Sequence, residues 1–257
     1  MSVKIGVLFN CQGNVIAHAM RAVSPAADVV YVSIADVAQS EEKRREAKEI
    51  LATRNHIVTM DAAVGNENIP LAWLRATGAA VLRLPTIRFR GFHPDSVIVL
   101  RKGQRKLLGP TAGYHSRIAI AAFLSGLSVQ ETLELYNALV FARLGYFGEY
   151  ARQFELMKGS FEGCGLDFAP MESKLRRAGC FMHSINHPKV LPLLELAIAI
   201  CRRIGLPIEN ENVQPNDLPD LLDPAPIHPV FPEIAARLGI EAEGAYRPNI
   251  PPGSEYI

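Results

Sequence analysis

Cys11 stands between Asn10 and Gln12 at a point where residues 3–9, a short apolar run, give way to apolar residues at helical spacing, Val15, Ile16, Ala19 and Val23. A strand that turns at once into a helix places its turn at the carboxyl edge of a sheet. There the helix's unbonded N–H groups and positive dipole end favour negative charge. A thiol in that position has a lowered pKa and becomes a usable nucleophile. An arbitrary cysteine is more often a small buried apolar residue, but a turn as polar and tight as Asn10-Cys11-Gln12-Gly13-Asn14 favours the chemical reading.

A thiolate nucleophile needs a proton carrier. Of seven histidines, His93, His187 and His228 directly precede proline, which keeps them extended and out of helices. His187 follows an apolar stretch, residues 180–185, read as a late strand, and precedes a long apolar helix. It is therefore expected at a sheet edge within reach of Cys11. Cysteine with histidine is the minimum pair for covalent acyl transfer. Asn186 is placed to orient His187 or to donate to an oxyanion, although Asn186-His187-Pro188 reads equally well as a plain strand stop.

A third feature is charge. Between Arg83 and Arg117 there are eight Lys or Arg residues against one acid, Asp95. A ligand with several phosphates accounts for that excess, because guanidinium groups match phosphate geometry. A solvated hairpin guarding an edge strand accounts for residues 101–106 as well, but less well for Arg88 and Arg90 beside His93. No Walker A sequence and no GxGxxG follows a strand. Only His183 and His187 have a ligand spacing, and a strand and a turn would aim them differently, so no metal is expected.

The elements that must position these groups follow in order. Strands are expected at residues 3–9, 28–34, 56–60 and 79–84. They alternate with helices at 15–23, at 40–54 and near Trp73, the last capped by Asn68 and closed by Gly78. Such alternation gives a mostly parallel sheet with helices on both faces. The second half reads as helical: a hairpin turning at Lys102-Gly103, then helices at 114–124, from a Ser128–Glu131 capping box to Gly145, at 147–157, 168–177 and 190–203. Ten of the eighteen prolines lie beyond Gly205. The expected layout is a single α/β catalytic domain over residues 1–205, with a Pro-rich tail over 206–257 that wraps it and holds one short helix near 232–238.

Composition sets bounds on partners. A net charge of +1 gives no global argument for nucleic acid or an acidic membrane. Four widely spaced cysteines without a CxxC pair suggest reduced thiols and a cytoplasmic setting. No apolar run is long enough for an integral membrane segment.

Asn10-Cys11-Gln12 after the first strand, Phe92-His93-Pro94-Asp95 in mid-chain, and Asn186-His187-Pro188 before the last long helix resemble, in that order, the WcbI-type polysaccharide biosynthesis family. These are acetyltransferases of capsule assembly, and the resemblance covers roughly residues 3–205. It implies a fold related to the SGNH hydrolases (flavodoxin-like), coenzyme A or acetyl-coenzyme A as acyl donor, and a saccharide hydroxyl as acceptor. Cys11 takes the place of the SGNH serine and His187 that of the terminal histidine. The aspartate usual three residues earlier is Ser184, so the His187 tautomer needs another partner. The expected site is then Cys11, His187 and Gln12 in catalysis. Gly13, Asn10 and Asn186 serve as oxyanion or orienting groups, and Arg88, Arg90 and His93 hold the donor. Direct transfer without an acyl-enzyme, an SGNH-type thiol esterase, and a non-enzymatic nucleotide- or sugar-binding protein remain as alternatives.

Overall fold

The continuous apolar run of Lys4–Phe9 (β1) is an inner strand of a parallel sheet, described in a computed structural model. The structure describes residues 2–60, 68–100, 102, 106–109, 113–223 and 227–242. They divide into two compact units. One comprises Met1–Ile87, Met157–Phe181 and Pro188–Leu222, and the other Arg88–Leu156, Met182–His187 and Asp223–Ile257.

In the first unit β1 is followed by α1 (Gln12–Val23), β2 (Asp28–Ser33), the short α2 (Ile34–Val37), α3 (Glu41–Ala52), β3 (His56–Met60), α4 (Leu71–Ala76) and β4 (Ala80–Leu84). The strand order is β2-β1-β3-β4, all parallel. Side chains alternate across β1. Leu8 joins Val32, Ala47, Leu51, Ile57 and Leu74 in one core that takes in α3 and α4. Ile5, Val7 and Phe9 face the other way and are fully buried. α1 packs against α10 (Val190–Arg203), which buries Leu193, Leu196, Ala197, Ile200 and Cys201. Each of the leucines and Ile200 contributes about 1.5–3 kcal/mol on burial, so one Leu196→Ala change costs roughly 2–5 kcal/mol. Helices on both faces of a parallel sheet agree with the sequence reading.

In the second unit β5 (Ser96–Ile98) and β6 (Tyr114–Ser116) pair antiparallel, with Ser96 opposite Ser116 and Ile98 opposite Tyr114. α5 (Arg117–Leu124), α6 (Val129–Glu134), α7 (Ala138–Arg143) and the start of α8 (Tyr146–Glu162) follow. α9 (Ala169–Arg177) belongs to the first unit. β7 (Met182–Ser184) pairs with β8 (His187–Pro188), and α11 (Pro232–Leu238) ends at Gly239. An aromatic cluster of Phe89, Phe92, Tyr150 and Phe154, with ring centroids 5.0–5.5 Å apart, forms the core here. Gly91 is required by that packing. A Cβ on it would come within 2.4 Å of the Phe89 ring and 2.8 Å of the Tyr150 backbone.

Four local expectations need correction. Residues 114–116 are strand, not helix, because the Ser116 hydroxyl accepts from the Ala119 N–H and so starts the helix at Arg117. The helix opened by the Ser128–Glu131 capping box breaks before Gly145, because Asn137 accepts from the Leu139 and Val140 N–H groups and starts α7. The N-cap of α4 is Pro70, not Asn68. The late strand does not extend the main sheet; β7 and β8 form a two-stranded sheet of their own, so the argument that placed His187 on the main sheet's edge fails. The hairpin survives as a bridge from Leu100 to Lys106, although Gly103 lies outside the described residues, as does the tail from 243.

Candidate functional site

The order β2-β1-β3-β4 reverses direction beside β1: the chain steps from β1 to β2 on one side, then returns to place β3 on the other. Ligands of open parallel sheets bind outside the carboxyl ends of strands at such a switch point. Cys11 lies there, exposed, as the N-cap of α1. Asn10 holds the turn in shape. Its Oδ1 accepts from the Gln12 N–H at 3.0 Å, and its carbonyl accepts from the Gly13 N–H at 2.9 Å and from the Tyr31 hydroxyl at 2.9 Å.

Two neighbours of Cys11 are committed elsewhere. Gln12 is buried, and its amide donates to the Ile87 carbonyl (2.9 Å) and accepts from the Ile87 N–H (3.0 Å). It is a clamp on the chain after β4. Gly13 gives its N–H to Asn10, and a Cβ there would come within 2.4 Å of Phe9 and 2.8 Å of the Tyr31 ring. Close approach of α1 to β1 and β2 therefore accounts for this glycine without an oxyanion role.

In the second unit Arg88, Arg90 and Lys106 line a cleft of about 530 Å³ together with Asn186, Ser96 and Gln153. Arg88 is exposed. Arg90 is partly neutralised, with its guanidinium 3.3 Å from Glu149. Burial works to raise the Glu149 pKa, but hydrogen bonds from Arg152 and Gln153 and the charges of Arg152 and Arg90 outweigh it and hold the carboxyl below its usual range.

Asn186 leads to the histidine. Its Oδ1 accepts from the Tyr114 hydroxyl, and Ser184, fully buried, lies 3.5 Å from the same oxygen. The Tyr114 oxygen is also 3.5 Å from Nδ1 of His187. A tyrosine has one hydroxyl proton. With that proton directed at Asn186, the contact to His187 is satisfied by an Nδ1–H donor, which leaves Nε2 as the proton-accepting nitrogen. Burial, followed by the charges of His183 and Lys106, holds the His187 pKa below the usual imidazole value. Its neutral form is therefore favoured. Tyr114, held by Asn186, thus sets the tautomer of this ring. Sequence reading missed Tyr114, because nothing in residues 113–117 marks a partner seventy-two positions away.

His93 sits apart from the basic cleft. It is buried, and its Nε2 donates to the His228 carbonyl at 2.8 Å. The motif it belongs to is anchored at both ends. Phe92 lies in the aromatic cluster, and Asp95 accepts from the Ile118 N–H (3.0 Å) and the Tyr146 hydroxyl (2.8 Å), capping α5. These bonds make it a tightly held corner. Among the described residues no three His, Cys, Asp or Glu side chains are arranged to hold a metal, and no helix is long and apolar enough to cross a membrane.

A family model described as polysaccharide biosynthesis enzyme WcbI matches residues 4–209. The chain belongs to the WcbI family. The match covers the three motifs that carried the resemblance, and it makes the protein one of a family named for polysaccharide biosynthesis. A solved structure of WcbI, described as a polysaccharide biosynthesis enzyme in its native form without a disulfide bond between coenzyme A and a cysteine, shares the fold with a TM-score of 0.75. It is 16% identical, over 96% of this chain and 83% of that one. No curated protein matches the chain.

Proposed function

We propose that this WcbI-family protein is an acyltransferase that takes an acyl group, acetyl in the simplest case, from coenzyme A and places it on a saccharide hydroxyl in surface polysaccharide biosynthesis. The observation that carries the reading is the basic cleft, in which Arg88, Arg90 and Lys106 share a wall with Asn186, the neighbour of His187. A donor with several phosphates fits three cations, and among the described residues no acid lines that cleft. The description of the similar WcbI structure, which names coenzyme A, adds support.

In this reading Arg88 and Lys106 hold phosphate oxygens, and Arg90, braced by Glu149, orients them. His187 Nε2 takes the proton of the acceptor hydroxyl as its oxygen attacks the acyl carbon. Where transfer is covalent, Cys11 carries the acyl group first, its Sγ–C bond forming as the donor's C–S bond breaks; where transfer is direct, Cys11 takes no part in bond making. The oxyanion is not assigned to Gln12 or to the Gly13 N–H, both of which have other partners.

The test is release of free coenzyme A thiol from acetyl-coenzyme A, with and without saccharide acceptors. His187→Ala should lower kcat by about 10²–10⁴-fold, the usual loss for a general base. The acid limb of the wild-type rate profile should fall below pH 6.5, because the His187 pKa is lowered. Release that needs no acceptor would assign the esterase alternative instead. Unchanged kcat in His187→Ala would remove this histidine from the chemistry.

A further inference from the structure

A second cleft in the same unit, of about 280 Å³, has a different chemistry. Its floor is the β5–β6 ribbon. Side chains opposite one another in an antiparallel pair share a face, and the period is two. Ser96, Ser116 and Tyr114 therefore lie on one side of the ribbon. Tyr136 is tied to this floor by a hydrogen bond between its hydroxyl and that of Ser116. Its ring meets Phe231 edge-on at 5.6 Å, and Phe231 lines the cleft from a segment beyond the residues matched to the family.

Ser96 is the telling residue. It is 6% exposed, its Oγ has no hydrogen-bond partner among the described residues, and it lines both this cleft and the basic one. Tyr114 also spans the two: it lines the aromatic cleft while its hydroxyl meets Asn186, in the basic cleft, and His187. A buried hydroxyl without a partner is rare and calls for one.

We infer that the aromatic cleft is the acceptor pocket, that it takes a single pyranose ring, and that Ser96 Oγ hydrogen-bonds a hydroxyl of that sugar. The inference rests on the acyltransferase reading and names the acceptor side of it. A pyranose presents an apolar C–H face and a rim of hydroxyls, which suits the negative ring faces of Tyr114, Tyr136 and Phe231 alongside serine hydroxyls. The volume lies just under the roughly 300–1,000 Å³ typical of drug-sized ligands, which limits the pocket to one ring. The bound sugar then lies against Tyr114, whose hydroxyl meets His187.

Saturation-transfer NMR on the full chain with the methyl glycosides of glucose, galactose and mannose tests this. At least one glycoside should show transfer, strongest at the C–H protons of one ring face. Ser96→Ala should weaken its binding about three- to tenfold, the effect of one neutral hydrogen bond, and Arg88→Ala should leave it unchanged. No transfer from any of the three, or equal affinity in Ser96→Ala, overturns the pocket assignment. Coenzyme A titrated into the same samples separates the two readings, since loss of donor binding overturns the acyltransferase reading alone.

Discussion

The Tyr114 hydroxyl, 3.5 Å from Nδ1 of His187, gives its own proton to Asn186 and so fixes which nitrogen of the imidazole is bare. The geometry makes Tyr114 a positioning residue. Tyr114→Phe keeps the ring and removes only the contact. It should lower kcat at least about tenfold, or 1.4 kcal/mol of barrier, with coenzyme A affinity kept. A steady-state comparison that instead shows KM rising at constant kcat would make Tyr114 a binding residue with no hold on the histidine.

Cys11 should be the first thiol to react with iodoacetamide near neutral pH. It is exposed, whereas Cys180 and Cys201 are buried and burial pushes the Cys201 thiol up to about 12. Peptide mapping of the alkylated protein reads this directly, with Cys164, half-buried, as the internal comparison. Cys11→Ser should be nearly as inactive as Cys11→Ala, each losing several orders of magnitude, as removal of a nucleophile does. Retention of most activity in Cys11→Ser would reduce Cys11 to a lining residue and favour direct transfer.

Much of this was legible in the sequence where the signal is local. β3 (His56–Met60) and α10 (Val190–Arg203) fall where periodicity put them, since Gly205 with φ +70° stops α10 and Pro207 lies beyond. Cys11 was legible for the same reason, because strand, turn and helix are consecutive. The aromatic cleft was not, since it joins residues 93–96, 114–116, 136 and 228–231, and no periodic pattern links them. Gln12 was read from its place beside Cys11, and its amide pairs with Ile87, seventy-five positions away. The three-residue β6 was hidden by the helical pattern that runs on from it.

His228 supplies a pH-dependent contribution to stability. Burial lowers its pKa to about 4 from 6.5. Between those values the unfolded chain binds a proton that the folded one does not. Its stabilising effect is thus complete above about pH 6.5 and declines as pH falls toward 4. The full loss is about 3 kcal/mol at 1.36 kcal/mol per unit. Urea unfolding at pH 7.5 and pH 4.5 should show a smaller drop in stability for His228→Gln than for the wild type. Equal drops would mean that His228 ionises freely in the folded protein.

Calorimetric titration measures whether the cleft of Arg88, Arg90 and Lys106 holds the phosphates of coenzyme A. Coenzyme A should bind the wild type, less tightly as salt rises, because contacts to exposed cations are screened. Arg88→Ala with Lys106→Ala should weaken binding at low salt and flatten the salt dependence, whereas Cys11→Ala should change neither. No heat at millimolar coenzyme A, or the same affinity and salt dependence in the double variant, would contradict the account.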